Sequence, residues 1–143
     1  GSAYLPDDYI ADGAQKLHLY RRLSRLETVG QVQALAEEIR DRYGPPPEEV
    51  ERLIAAARLR LAGTELGVER LHVQGDSARV TFRAGVVPRI VALQRAFQDN
   101  QVDVEVRRSM PLSIVLRRRG ARTITDTLLA AFDALAADRA RAA

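Results

Sequence analysis

Cysteine is absent from the 143 residues of this chain, and so is tryptophan. Without a thiol there is no disulfide framework, no cysteine nucleophile and no cysteine-based metal site. The lack of disulfides fits a reducing compartment, so a cytoplasmic location is expected. With three Phe and four Tyr, a platform for stacking unpaired bases has little to be built from. Lys16 is the lone lysine, and arginines, which do not titrate in the usable pH range, supply the remaining cations. No apolar run approaches the roughly 18 residues that span a bilayer, and no signal peptide is visible, so no membrane contact is expected. Familiar chemistry is missing as well. There is no GxxxxGK[ST] loop, no HExxH and no GxSxG. His18 and His72 are far apart in sequence, and neither has an obvious carboxylate partner. These absences predict a fragment that is not an enzyme by itself and that holds no cofactor and no metal.

What is present is an ordinary globular profile: 46% apolar residues, enough for a core, and 29% charged residues. The length suits a single domain over residues 3–143. Gly1 and Ser2 read as the scar of a removed tag, so an excised domain of a longer protein is expected. The charge is two-sided. Residues 1–71 hold 10 basic and 12 acidic side chains, net −2, and residues 72–143 hold 12 and 7, net +5.

Apolar periodicity divides the chain into a helical part, 12–67, and a β-α part, 68–143. Residues 3–11 read as an extended lead-in. Asp12 is positioned to cap a helix with Leu17, Tyr20 and Leu23 on its stripe, flanked by Leu19 and Leu26. Thr28 and Gln31 form a capping box for a second helix, with Val32, Leu35, Ala36, Ile39 and Tyr43 on one side. Gly44 then suits a C-cap, and Pro45-Pro46-Pro47 makes a stiff corner into a third helix that stops at Gly67. Beyond it the period changes to two. Val68–Val73 and Arg79–Phe82 read as a hairpin about the turn 74–78, followed by a helix from Pro88 to Gln98. The alternating segments 102–107 and 112–116 form a second hairpin around Met110-Pro111. "RRRGARTIT" breaks the pattern, Asp126 begins or caps a last helix, and the tail "DRARAA" is expected to fray. The prediction is an α+β fold: three helices, then two β-hairpins in an antiparallel or mixed sheet, with a helix between them and one at the end.

Two charged constellations stand out. In the second helix Glu38 and Asp41 lie three residues apart and opposite the apolar stripe, with Glu37 close by. So near the helix C-terminus, carboxylates oppose the macrodipole by about 0.3–1 kcal/mol, and Arg40 and Arg42 partly offset this. They read either as a solvated face or as a docking face for a cationic partner. The second constellation is Arg117, Arg118 and Arg119, with Arg107, Arg108 and Arg122, which reads as a basic rim or as a nonspecific nucleic-acid contact.

The segments "LPDDYIAD", "KLHLYRRLS" and "EEIRDRYGPPPEEVERLIAAARLRLAGTELGV" resemble the C-terminal domain of the bacterial transcription-repair coupling factors. The family pattern has an LP-D/E-x-Y/F-I lead-in, an R/KL-x-x-Y-x-R/K helix, an E-L/I-x-D-R-F/Y-G corner and an ARLR…LGI helix. The match covers residues 3 to about 70; beyond that only the order of elements is similar. The resemblance implies a parent that is an ATP-dependent DNA translocase, with ATP and magnesium in its motor domains, acting on stalled RNA polymerase and duplex DNA and recruiting UvrA. It implies that this terminal domain folds back on the parent's own N-terminal UvrA-binding domain, masks it and restrains the motor. It also implies that Glu38 and Asp41 meet basic residues of that domain. Ile39 stands where Leu is commoner, a conservative change. The rival reading is an accessory domain that contacts nucleic acid or RNA polymerase through its arginine-rich C-terminal half.

Overall fold

A computed structural model describes residues 2–99 and 101–142. The elements are α1 (Gly13–Arg25), α2 (Val29–Tyr43), α3 (Glu48–Glu65), β1 (Val68–Gln74), β2 (Ser77–Phe82), α4 (Ile90–Asp99), β3 (Val102–Arg107), β4 (Ser113–Arg118) and α5 (Ile124–Ala142). The succession is the predicted one, and the class is α+β. By contacts the chain divides into two compact units, Gly1–Leu61 and Ala62–Ala143, the division falling within α3.

The first unit is built from helix signals that sequence made visible. Asp12 caps α1 by accepting from the backbone N–H of Ala14 at 2.8 Å and of Gln15 at 3.1 Å. The Thr28–Gln31 capping box opens α2. Val32, Leu35 and Ile39 are buried, and they share one core with Leu19 and Leu23 of α1 and with Val50, Ala57 and Leu61 of α3. The α1 stripe is rolled from the expected one. Leu17 is 51% exposed and Tyr20 38% exposed, while Leu19 and Leu23 go inside. Tyr20 is used at its polar end, where its hydroxyl accepts the Leu5 N–H at 2.8 Å.

The lead-in is not extended. The Pro6 carbonyl accepts from Tyr9 N–H at 3.1 Å and Ile10 N–H at 3.0 Å, closing a turn. That turn sends both Leu5 and Ile10 into the core. Two large aliphatic side chains are each worth about 1.5–3 kcal/mol when buried, which favours a folded segment over a solvated one.

In the second unit a four-stranded sheet runs in the order β1-β2-β4-β3, and every neighbouring pair is antiparallel. The first turn is tighter than predicted: Gln74 pairs with Ser77, leaving Gly75 and Asp76 as a two-residue loop with Gly75 at φ 59°. Strand β4 extends through Arg117 and Arg118, so the arginine run does not break the strand as expected. The last helix begins at Ile124. Its cap is Thr123, whose hydroxyl accepts the Asp126 N–H at 3.1 Å, and Asp126 lies inside the first turn. Helix α5 continues to Ala142 rather than fraying. Arg139 donates to the Glu65 carbonyl at 2.7 Å and Asp138 pairs with Arg89 at 2.9 Å, which ties the tail down.

One face of the sheet is covered. Val80, Ile114 and Leu116 are fully buried together with Leu93 and Phe97 of α4 and Leu128 and Phe132 of α5. Gly67 stops α3 at φ 85°, and a Cβ there would come within 2.8 Å of a Val86 methyl, so no larger residue fits.

Burial separates two substitutions that helical periodicity alone would rank together. Ile39→Ala, at 1% exposure, is expected to lower stability by about 2–5 kcal/mol. Leu17→Ala, with half its surface already in water, is expected to stay within about 0.5 kcal/mol of the parent. Urea denaturation of the two variants checks both.

Candidate docking face on the second helix

With Val32, Leu35 and Ile39 turned inward, the opposite side of α2 presents Glu37, Glu38 and Asp41, all exposed. The helix end is held from several directions. Gly44 adopts φ 87° and its N–H donates to the Arg40 carbonyl at 2.9 Å. The Tyr9 hydroxyl donates to the Gly44 carbonyl at 2.7 Å, and the Tyr9 and Tyr43 rings pack with centroids 5.9 Å apart, tilted by 55°. Burial, ahead of the nearby Glu51 charge, pushes the Tyr9 phenol above its ordinary range. Across the corner, Pro47 starts α3 by accepting from Val50 and Glu51 N–H at 3.0 Å each. A long ion pair, Arg40 to Glu51 at 3.8 Å, bridges the two helices. The direction of α2 relative to α3 is therefore set by backbone bonds, and the acidic face inherits it.

The three carboxylates are not equivalent. Glu38 is gripped by Arg22 of α1: both guanidinium Nη atoms donate to its two oxygens, Nη2 to Oε1 at 3.0 Å. That forked bond, ahead of any other influence, holds the Glu38 carboxyl below its usual range and pushes Arg22 up. The Glu38 side chain keeps 47% of its surface in water, so the oxygens retain outward lone pairs for a further donor. Asp41 forms no ion pair or hydrogen bond among the described residues and is the bare anion of the face. Glu37 accepts only a long bond from Gln33 at 3.4 Å. Arg42, near the same end, lies over the Tyr43 ring at 5.3 Å. Of the expected pair, then, one member is free and one is already held within its own unit. Arg22 is the residue that reading along the chain missed. It directly precedes the buried Leu23, which places it at the margin of the packed side of α1.

The predicted arginine triplet does not act as one group. Arg117 points away from the helices on β4 and is exposed. Arg118, on the opposite side of the strand, donates to Asp76 at 2.7 Å and to the Gly120 carbonyl at 3.0 Å. Arg119 pairs with Asp103 at 3.0 Å. Strand alternation sends Arg118 to the opposite side, while Arg117 and Arg119 both neighbour Asp103.

Elsewhere in the second unit, Phe82, Val86, Pro88 and Leu135 line a cavity of about 360 Å³, and the Arg89–Asp138 pair lies at it. No nucleophile with an adjacent base stands there. Among the described residues no group of three or more His, Asp or Glu is placed to hold a metal ion, and no helix is long and apolar enough to cross a membrane.

The Arg22 fork has a titration signature. A carboxyl held low in the folded state contributes stability above its ordinary value, and that contribution is lost as pH falls through the lowered one. Because the pair is half exposed, its worth is at most about 1 kcal/mol. Arg22→Ala is expected to move the Glu38 titration upward, back to the ordinary glutamate range, in carboxyl carbon NMR.

Residues 1–90 match the family model described as the TRCF domain. The chain is 35% identical over 80 residues to the transcription-repair-coupling factor of Bacillus subtilis (strain 168), covering 56% of the chain and 7% of that protein. It is 49% identical over 59 residues to the factor of Mycobacterium bovis, 41% of the chain and 5% of that protein. To the factor of Myxococcus xanthus it is 41% identical over 78 residues, 50% of the chain and 6% of that protein. The chain thus spans a small fraction of the length of these relatives. A crystal structure of the C-terminal domain of a transcription-repair coupling factor superposes with a TM-score of 0.83, covering 99% of this chain and 91% of that one, at 19% identity. At that identity the likeness shows the shared fold.

Proposed function

Because the chain belongs to the TRCF domain family of transcription-repair coupling factors, we propose that it is a non-catalytic, autoinhibitory C-terminal domain of such a factor. It docks through the acidic face of α2 on the N-terminal UvrA-binding domain of its own polypeptide, masks that domain and restrains the motor. The parent is an ATP-dependent DNA translocase that displaces stalled RNA polymerase and recruits UvrA to duplex DNA. Nucleotide and magnesium chemistry belongs to its motor domains, since this chain has no phosphate-cradling loop.

The observation that carries this reading is Asp41: an exposed carboxylate with no partner among the described residues, held at a helix end where it opposes the macrodipole. Folding gains nothing from it there. Glu38 stands beside it with its rotamer already fixed by Arg22, so little side-chain entropy is lost when a second cation arrives. Arg22 cancels the net charge of Glu38, so long-range attraction comes from Asp41, while Glu38 adds directional bonding at contact.

Magnitudes suit a releasable lid. Tethering gives an effective concentration of about 1 mM, so an intrinsic Kd of about 0.1 mM keeps about 90% of molecules closed. Removing two surface ion pairs costs at most about 2 kcal/mol, a factor of about 30. That would drop the closed fraction to about 25%. Two exposed carboxylates can thus decide the state, and salt weakens them.

In the full-length parent, Glu38→Arg with Asp41→Arg is expected to raise UvrA binding and basal ATP hydrolysis severalfold, with the domain still folded. Asp41→Arg alone is expected to give most of that effect, and Glu38→Gln alone the smaller part. Pull-down with UvrA and steady-state ATPase assays read both; no change in either for the double variant would refute the lid.

A further inference from the structure

The side of the sheet turned away from α4 and α5 carries a different pattern. Ala78, Val80, Ile114 and Leu116 are buried against the helices, so Arg79 and Arg117, one position out of phase, face the open side. Register places Arg70 opposite Thr81, His72 opposite Arg79, and Arg117 opposite Ser77. Arg70, Arg79 and Arg117 therefore step diagonally across β1, β2 and β4, one guanidinium per strand. Diagonal neighbours in a sheet lie about 7–8 Å apart, so the stripe runs about 15 Å.

All three arginines are exposed, and none forms an ion pair or side-chain hydrogen bond among the described residues. The cations around them are engaged. Arg107 pairs with Glu105 at 3.5 Å and Arg119 with Asp103 at 3.0 Å, which occupies both carboxylates that β3 turns to this face. Arg117 has Asp103 directly across from it on β3, but Asp103 pairs with Arg119, and neither Arg70 nor Arg79 has a carboxylate opposite it, so cross-strand pairing within the sheet does not neutralise the stripe. Thr81 sets a hydroxyl beside the guanidiniums, while the Ser77 hydroxyl donates to the Gln74 carbonyl at 3.1 Å.

The chemistry narrows the partner. The strands contribute no Phe, Tyr or Trp to this face: Phe82 is buried, and a single imidazole, His72 opposite Arg79, is not a run of stacking sites. A single strand, which binds by stacking its bases, finds no platform. A folded protein partner would want an apolar anchor at the centre of its footprint, and only the half-buried Val115 stands there. A row of unpaired guanidiniums with a hydroxyl donor and no base-reading groove matches phosphates, which position a duplex without reading its sequence. At about 3.4 Å of axis per phosphate, the stripe spans about four phosphates of one strand. We propose that the open face of the sheet binds the phosphate backbone of duplex DNA through Arg70, Arg79 and Arg117. This surface shares no residue with the acidic face of α2, and its test does not depend on the docking reading.

The test is fluorescence anisotropy of a labelled 20-base-pair duplex against this chain, from about 50 to 200 mM salt. Three phosphate contacts predict a slope of log K on log salt of about −2.7. Arg70→Ala with Arg79→Ala and Arg117→Ala is expected to bring the slope close to zero and weaken binding at least about tenfold at the lowest salt. Replacing the same three by lysine should keep the slope, since phosphate needs charge rather than the planar fork, and it guards against a fold defect in the alanine variant. Arg95→Ala with Arg139→Ala and Arg141→Ala removes equal charge from α4 and α5, the helices on the covered side of the same sheet, and should bind as the unsubstituted chain does. The proposal is overturned if the parent chain shows no saturable duplex binding at low salt. It is also overturned if the off-face variant loses as much, or if a single strand of the same sequence or a polyglutamate peptide binds at least as tightly as the duplex.

Discussion

The roll of α2 about its own axis is decided by Val32, Leu35 and Ile39, each at most 2% exposed in the core of the first unit. Each such side chain is worth about 1.5–3 kcal/mol when buried, against at most about 1 kcal/mol for an exposed ion pair. The apolar stripe therefore chooses the roll, and the charges take whatever position is left. What is left is an outward row holding Glu37, Glu38 and Asp41. Asp41 has no side-chain partner among the described residues, and Glu38, though held by Arg22, keeps 47% of its side-chain surface in water, so folding leaves both open to a further cation.

Residues that look unrelated along the chain turn out to be one joint. The lead-in folds back so that Tyr9 reaches the Gly44 carbonyl and its ring meets that of Tyr43. Pro47 starts α3 directly beyond. The aromatic of the lead-in and the aromatic-glycine pair of the corner thus constrain each other, which accounts for motifs about 35 residues apart appearing in one pattern. A joint of this kind holds a helix face at a defined angle, which a docking surface made of a few ion pairs needs. Weak contacts add up only if they can form together.

The second unit is divided in another way. Its sheet has a covered face of aliphatic and phenylalanine side chains and an open face of arginines and hydroxyls. Part of the charge excess of the C-terminal half, net +5 from residue 72 on, stands on that face as Arg79 and Arg117, with Arg70 beside them. Arg118 parts company with its neighbours Arg117 and Arg119, while arginines on three different strands come into line. Both outcomes follow from the two-residue period of a strand and from register.

Helix starts and stops were legible from sequence because they are local. Asp12, the Thr28–Gln31 box and the Gly67 stop act through bonds to residues within a few positions, and each was placed correctly. So was the α2 stripe, whose apolar positions admit one roll. The roll of α1 was not legible, because Leu17, Leu19, Leu23 and Tyr20 offer two overlapping stripes and only neighbouring elements choose between them. The turn in the lead-in was hidden for the same reason: nothing local requires Leu5 and Ile10 to be buried until a core exists to receive them. By itself, then, the chain determined its element order, its caps, its α+β class and the exposure of Glu38 and Asp41, all set by short-range bonds and periodicity. Tertiary structure alone decided that Arg22 on another helix claims Glu38, that Asp41 stays bare, and that three distant arginines align, because each depends on the register between elements, which no spacing along the chain encodes.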